Sequence, residues 1–343
     1  MSVLTLSAAE WESAEMAYVT TGLPNSGLTA HYQIEYDESL SPEDGLDRAL
    51  ALLGVCEQDY DLMAHWFGNI ALPWNPVPIQ IASGAGPGAG WGPPVTLVPG
   101  DGTPLDMVRY LLVAEVTEMF MLAQNKGWFH GVDEGSDGEG LSLFLGEQFL
   151  ASIAAAATPI EIANYWMGSA RLDYVNHVDP YDRTADEKTG CAILFIYYLY
   201  TELGFDIPAI IAGGGAQLSD VYENLTGDAT DPFPNFKCLL DSAYPGTATI
   251  SGANTNNPWP LPESPECPDL RTKIDELKAD IRSWEHELVT PPIPTGAERA
   301  AIIHEIDGAK AELETTENRA KALCCGGLQL HPTGGSPPAR PSQ

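Results

Sequence analysis

Two stretches of the chain contain the residues whose types and spacing are suited to chemistry. The first is Ala114-Glu115-Val116-Thr117-Glu118, whose first and last residues lie four apart and therefore share one face of a helix. The second, Asp137-Gly138-Glu139-Gly140, follows about twenty residues later. Glu115, Glu118 and Glu139 supply carboxylates, which act as acids and bases and also bind hard cations. Glu139 is expected at the start of the helix that follows the one with Glu115 and Glu118.

The order and spacing of these stretches resemble the gluzincin branch of the zincin metallopeptidases. There, His-Glu-x-x-His on a helix supplies two zinc ligands and a general base, and a Glu on the next helix supplies the third ligand. The similarity covers roughly residues 30 to 245. Residues 95–99 are similar to the edge strand above such a cleft, and residues 190–204 and 218–227 resemble the late helices of that superfamily.

The resemblance implies that the zinc site has been lost. Ala114 stands where the first His ligand would be and Glu118 where the second would be, while Glu115 keeps the place of the general base and Glu139 that of the third ligand. An alanine cannot coordinate a metal, and catalytic zinc usually has three protein ligands, often imidazoles. Without the ion, nothing lowers the pKa of water from 15.7 toward about 7. We therefore expect an inactive metallopeptidase homologue without catalytic residues, metal or cofactor, which acts by binding or assembly.

Two alternative functions, each of a different class, stay open. In the first, His130 or His177 replaces a missing ligand, and the chain is a metal-dependent hydrolase with a carboxylate-rich site. In the second, the protein is a structural subunit of a larger assembly. The carboxylates of Glu115, Glu118 and Glu139 also admit acid–base catalysis of the glycosidase kind, but the sequence does not fix the separation that such an enzyme requires.

An acidic, glycine-rich loop at residues 133–139 offers a different site. It contains Asp133, Glu134, Asp137 and Glu139, and oxygen ligands suit calcium or another hard cation rather than zinc. The spacing does not match an EF-hand loop. Acidic residues at the start of a helix are also favoured by the helix dipole without any ion, and this is the simpler interpretation.

Composition limits the partners of the protein. The net charge is −32, from 16 basic and 48 acidic residues. Such a charge repels phosphate backbones and anionic lipids, so we expect a protein or peptide partner and no nucleic acid. No apolar run of about 18 residues predicts a membrane span, and the first ten residues lack the features of a secretory signal. The cytoplasm is the default compartment, and signal-independent export stays open.

The pattern along the chain predicts an α+β fold in which a small N-terminal sheet precedes a mainly helical half. Residues 1–102 form the strand and helix part of the zincin-like domain, and residues 103–245 form its helical part. A Gly- and Pro-rich loop occupies residues 84–94. The elements expected from periodicity and capping residues are strands at 31–36, 78–81 and 95–98, and helices at 42–66, 103–126, 139–157, 160–167, 186–203, 207–212 and 218–225.

The C-terminal part differs from the rest of the chain in composition and in the spacing of its apolar residues. Residues 246–265 read as a linker, and residues 266–325 as an antiparallel coiled-coil hairpin suited to oligomerisation. Its first helix carries the 4-3-4-3-4 apolar spacing of a coiled coil at Leu270, Ile274, Leu277, Ile281, Trp284 and Leu288. Cys267 is positioned to form a disulfide with Cys324 or Cys325, the alternative being unpaired thiols. Residues 326–343 are expected to be a disordered tail.

Overall fold

The computed structural model describes residues 25–322 except 93, 132, 182–184, 253, 262–265 and 291–293. In these residues five strands and eleven α-helices form a mixed α+β structure, as predicted. The described chain divides into two compact units. The first unit runs up to Phe233 and also includes Thr247–Trp259, whereas the second contains Pro234–Gly246 and the chain from Pro260 on.

A five-stranded sheet belongs to the first unit. Its strands are β1 Asn25–Leu28, β2 Tyr32–Tyr36, β3 Val77–Ile81, β4 Gly88–Gly90 and β5 Val95–Val98, in the spatial order β1-β2-β3-β5-β4. β2, β3 and β5 are mutually parallel, and the outer strands β1 and β4 pair antiparallel. Alternate residues of β2, such as Tyr32 and Ile34, are fully buried, which explains why period-two alternation predicted this strand.

The loop expected at residues 84–94 contains a strand, so this prediction was wrong in part. β4 pairs with β5, with Gly88 opposite Val98 and Gly90 opposite Thr96. The outermost described strand on that side is therefore β4, and not the 95–99 segment that we expected at the edge. Glycine has little intrinsic tendency to form strands, so β4 depends on its pairing with β5 rather than on local propensity.

The helix expected over residues 42–66 is divided in the structure. A π-helical turn, Glu43–Asp47, leads into α1 Arg48–Leu53, and α2 Cys56–Trp66 follows. Gly54 ends α1 and Val55 leaves helical geometry, with φ of −130°. Glycine is a weak helix former, and this one interrupts what the periodicity suggested was continuous.

Two long helices, α3 Leu105–Gln124 and α4 Gly135–Ser152, are buried along most of their length. α3 ends before the expected Gly127 because Asn125 adopts left-handed geometry and its N–H bonds to the Met121 carbonyl. Thr103 does not cap α3, since its hydroxyl donates to the Pro99 carbonyl instead. α4 begins four residues before Glu139, where its start was expected, and ends before residue 157.

Four shorter helices complete the helical part of the first unit. They are α5 Ala163–Met167, α6 Glu187–Tyr197 with a π-helical turn Tyr198–Glu202, α7 Ile207–Ala212 and α8 Leu218–Thr226. The positions of α6, α7 and α8 follow the sequence expectations closely. α5 starts three residues later than expected, and the backbone N–H groups of Ile162 and Ala163 there donate to the side chain of Asn256.

Part of the stretch that we expected to be a linker packs in the first unit. Within 247–259, Ile250, Asn256 and Trp259 are buried. The Asn164 side chain exchanges hydrogen bonds with the backbone of Ile250, and the Trp259 indole donates to the Leu194 carbonyl. This segment is therefore part of the core around α5 and α6.

The second unit contains α9 Phe233–Ala243, which starts at the unit boundary, together with α10 Cys267–Glu287 and α11 Gly296–Ala322. α10 and α11 pack through two small apolar clusters, one of Cys267, Ile274 and Ala320, the other of Leu277, Ile281 and Ala309. Ion pairs also join the two helices, including the half-buried pair Lys278–Glu317 and the exposed pair Lys310–Glu285. Among the described residues, no helix is long and apolar enough to cross a bilayer.

The cysteines differ between the units. Cys238 and Cys267, both in the second unit, are disulfide-bonded. A disulfide at Cys267 was expected from its position, whereas the sequence analysis assigned no disulfide to Cys238. The expected partners of Cys267, residues 324 and 325, lie outside the described residues, as does the tail at 326–343. Cys56 and Cys191 in the first unit are buried free thiols.

Candidate functional site

Three buried carboxylates from two neighbouring segments meet in the first unit. They belong to Glu118 on α3, to Glu134 just before α4 and to Glu139 in the first turns of α4. One carboxylate oxygen from each residue lies within 4.8 Å of the other two. Between 0% and 6% of each residue is exposed, so bulk water does not screen the cluster. We call this group the glutamate cluster.

Glycines let the chain before α4 approach closely enough to form the glutamate cluster. A Cβ on Gly138 would lie 2.3 Å from the Trp128 carbonyl oxygen and 2.6 Å from the Cβ of Glu134. Gly135 has φ of +69°, a conformation that favours glycine. Because neither residue has a side chain, the Trp128 backbone approaches α4 closely, and Glu134 lies beside Glu139.

The two positions implied by the resemblance as the second and third metal ligands, Glu118 and Glu139, are thus brought together. The position implied as the first ligand, Ala114, is buried and ends in a methyl group. Glu115 is half-buried, and in the described part of the chain it is not a member of the glutamate cluster. The arrangement therefore unites two of the four positions that the sequence singled out.

The two histidines considered as replacement ligands lie elsewhere. His130 Nε2 is 2.8 Å from Asp137 Oδ1, and this hydrogen bond raises the pKa of His130. Burial raises the pKa of Asp137, while the hydrogen bond with His130 opposes the shift. His177 is exposed. In the portion that the structure describes, neither histidine joins Glu118 in the metal-ligand group, so the geometry gives the cluster no nitrogen ligand.

The four acidic residues of the loop at 133–139 do not form one site. Only Glu134 and Glu139 of its four acidic residues belong to the glutamate cluster. Asp137 binds His130, and the backbone carbonyl of Asp133 accepts a hydrogen bond from the His130 N–H. The loop therefore divides between the cluster and a His–Asp pair, which the sequence spacing did not predict.

An aromatic pair connects the edge strand with the segment that leads to α4. Trp91, directly after β4, and Phe129 meet edge to face, with ring centroids 5.0 Å apart. Both side chains are half-buried. The sequence analysis did not single out this pair, although two aromatic residues beside Gly-rich segments were the available signal. Aromatic side chains of this kind supply large contact areas for ligands.

The chemistry of the glutamate cluster follows from its donor set. Three carboxylates at this spacing repel one another, so protons or a positively charged group must accompany them. An oxygen-only set suits Ca²⁺, Mg²⁺ or Mn²⁺, whereas a zinc peptidase normally uses at least one imidazole. The cluster therefore fits a hard cation or a cationic side chain better than a catalytic zinc ion.

Comparison with family models, with curated proteins and with solved structures finds no match to this chain. The functional interpretation therefore depends on the geometry of the site itself.

Proposed function

We propose that the first unit is a zincin-like scaffold that has lost the peptidase reaction and acts by binding a protein or peptide partner. The observation that carries this proposal is the meeting of Glu118 from α3 with Glu139 from α4, while Ala114 is a buried methyl group. This meeting supports the proposed relation to zincins, because their second and third zinc ligands also come from two neighbouring helices. The side chains at these positions, however, lack the imidazole nitrogens with which a zincin holds its zinc ion.

Peptide hydrolysis by a zincin requires a water molecule that zinc has activated, and this site is not suited to hold zinc. A zinc peptidase uses the ion to make bound water acidic and a Glu to remove its proton. With Ala114 at the first position and carboxylates at the other two, the described residues give the site no imidazole ligand, and Glu115 would have no zinc-activated water to deprotonate. The natural chain is therefore expected to be inactive as a peptidase.

The edge of the sheet offers a way to bind an extended peptide. β4 is the outermost described strand on its side, and Trp91 follows it directly, in contact with Phe129. A peptide that adds to such an edge gains main-chain hydrogen bonds, and neighbouring pockets or aromatic surfaces select its side chains. Panning of a displayed peptide library on the full chain should select binders that are lost on Trp91→Ala and kept on Trp128→Phe. Selection of none would weaken the binding part of the proposal.

Metal content and activity test the loss of catalysis. We expect purified protein to hold far less than one zinc per chain and to cleave no peptide, with or without a chelator. The double variant Ala114→His/Glu118→His restores the two imidazoles and should acquire zinc, whereas Glu118→His alone, still lacking the first ligand, should bind it much more weakly. Stoichiometric zinc with chelator-sensitive cleavage in the natural chain would overturn the proposal.

A second candidate function is binding of a hard cation, favoured by the three carboxylate oxygens within 4.8 Å of one another. Terbium luminescence or calorimetry with Ca²⁺, Mg²⁺ and Mn²⁺ tests it directly. Binding should fall at least tenfold in Glu118→Gln and Glu139→Gln. It should be unchanged in Glu35→Gln, a matched change at a buried glutamate on β2. Equal binding in all three variants would place the cation elsewhere.

We interpret α10 and α11 as the coiled-coil hairpin expected from the sequence, and we propose that it mediates self-association or docking of a partner. Val289 and Ile303 support this, since they are 69% and 42% exposed in the second unit. Light scattering of the full chain over a range of concentrations measures its mass. If self-association uses this surface, Val289→Asp/Ile303→Asp should yield monomers, whereas an unchanged mass would exclude it.

A further inference from the structure

A second buried carboxylate lies outside the glutamate cluster. Glu147, on α4, is 5% exposed and accepts hydrogen bonds at both oxygens. Tyr197 Oη donates to Oε2 at 2.5 Å and Asn254 Nδ2 donates to the same oxygen at 3.2 Å, while Asn256 Nδ2 donates to Oε1 at 2.5 Å. Two of the three donors come from the 247–259 segment, so Glu147 is a contact point between this segment and α4.

The side chain of Asn256 is held in one orientation. Its Oδ1 accepts from the backbone N–H groups of Ile162 and Ala163, each at 2.9 Å. Its Nδ2 donates both to Glu147 and to the Ile160 carbonyl. These four bonds use both acceptor sites and both N–H groups of the amide, and reversing it would set donors against donors. While the segment is docked, Asn256 therefore presents an N–H group to Glu147.

Asn254 is fixed in a similar way. Its Oδ1 accepts from the backbone N–H groups of Asn256 and Asn257, at 2.9 and 3.2 Å. Its Nδ2 is therefore the group turned to Glu147. Because both amides are constrained as donors, the hydrogen bonds favour an ionised carboxylate, whereas burial favours a protonated one.

The groups that face Glu147 from other elements carry no positive charge. They are Tyr197 from α6, which itself accepts from Gln148 Nε2, Tyr110 from α3, and the two asparagines of 247–259. Burial raises the pKa of Glu147 to about 7, and the hydrogen bonds from Tyr197, Asn256 and Asn254 limit this rise. In the described residues, the influences on this carboxylate include no cationic side chain.

We propose that docking of residues 254–257 against α4 is linked to proton binding at Glu147, so that the segment is held more tightly in mildly acidic than in alkaline solution. Both ends of the 247–259 segment continue into the second unit. The segment affected by this linkage belongs to the first unit, and in the sequence it separates the two portions of the second unit.

The sign of the effect follows from the exposure of Glu147. Undocking hydrates the carboxyl group, and its pKa then falls from about 7 toward its ordinary value of 4.5. The docked state consequently holds a proton that the undocked state releases between these values. Over this range the docking equilibrium should fall roughly 100-fold as pH rises, and it should be constant above about pH 8.

Hydrogen exchange of the full, disulfide-intact chain measures this linkage. After correction for intrinsic exchange, protection of the amides in 254–259 should fall about 100-fold between pH 5 and pH 8.5. Amides in the middle of α10, in the second unit, serve as the internal reference. Glu147→Gln, which keeps the shape but cannot ionise, should remove the pH dependence. Protection that is unchanged with pH in the natural chain, or that varies equally in Glu147→Gln, would overturn the proposal.

A second variant gives the test a readout independent of the first. Tyr197→Phe removes one donor from the carboxylate but leaves both asparagines in place. With less stabilisation of the charged form, the pKa of Glu147 should rise and the midpoint of the pH-dependent protection should move to higher pH. An unchanged or lower midpoint would contradict the proposed linkage, because removal of a donor to the carboxylate must raise the midpoint if ionisation of Glu147 controls docking.

Discussion

Arg109 on α3 holds the buried carboxylate of Asp59 on α2 through two parallel hydrogen bonds. Nε donates to Oδ2 at 2.9 Å and Nη2 donates to Oδ1 at 2.6 Å. The same guanidinium lies 4.9 Å from the centroid of the Phe149 ring on α4. One side chain thus connects α2 with both helices that supply the glutamate cluster, and it helps to fix the relative position of these helices.

Removing either member of this pair should destabilise the first unit. Asp59→Ala leaves Arg109 without its buried counter-ion, and such a loss costs about 3–5 kcal/mol in the free energy of unfolding. Urea denaturation followed by circular dichroism measures it. Asp61→Ala, at an exposed position on the same helix, is the matched control and should change stability by less than about 0.5 kcal/mol. Equal effects of the two substitutions would show that the pair is not structurally important.

The pKa of His130 should depend on Asp137. The hydrogen bond with Asp137 raises the pKa of His130 above 6.5, so Asp137→Asn should lower it, as measured by NMR titration of the imidazole. Because the folded-state pKa is raised, the stabilisation is complete below the unfolded-state value and is lost as pH rises through the folded-state value. A His130 pKa that is unaffected by Asp137→Asn would contradict the assigned contact.

Close packing of α4 on α6 should make Gly140 intolerant of a side chain. A Cβ at this position would lie 2.7 Å from the Cβ of Ala192 and 3.1 Å from the Ile193 nitrogen. Gly140→Ala should therefore cost about 1–3 kcal/mol. Gly308→Ala, on α11, meets no atom within 4 Å and should be stabilising by up to about 1 kcal/mol. Thermal denaturation of both variants compares them directly, and a neutral Gly140→Ala would contradict the packing.

Reduction should affect the second unit more than the first. Cys238 and Cys267 are disulfide-bonded, and the apolar clusters between α10 and α11 are small. Loss of a native disulfide from a small unit typically costs about 2–5 kcal/mol. Cys267→Ser, on α10, should therefore increase hydrogen exchange in α10 and leave α3 unchanged, whereas Cys191→Ser should leave α10 unchanged. Similar exchange in α10 with and without a reductant would contradict this role.

The parts of the fold that sequence predicted are those encoded by local patterns. β2 fully buries Tyr32 and Ile34 two residues apart, and α7 and α8 have clear starts and ends. In these elements the information is contained in neighbouring residues. The meeting of Glu118 with Glu139 was implied by the gluzincin resemblance and not by a local pattern.

The features that sequence did not predict depend on distant partners. β4 consists of Gly88, Ala89 and Gly90, which form a strand only because β5 pairs with them. Glu134 enters the glutamate cluster because Gly138 admits the Trp128 backbone, a contact that no periodicity encodes. Asn256 binds groups more than ninety positions earlier in the chain, and the polar composition around it resembles that of an ordinary loop.

The position of Asn256 has a practical consequence for anyone who divides this protein. A gene shortened at Gly246 would encode all the helices up to α9 but omit the residue that completes the start of α5. The backbone N–H groups of Ile162 and Ala163 would then lose their acceptor, Asn256 Oδ1, and Glu147 would lose its asparagine donors. A fragment intended to fold should therefore retain residues 247–259, or receive them as a synthetic peptide added in trans.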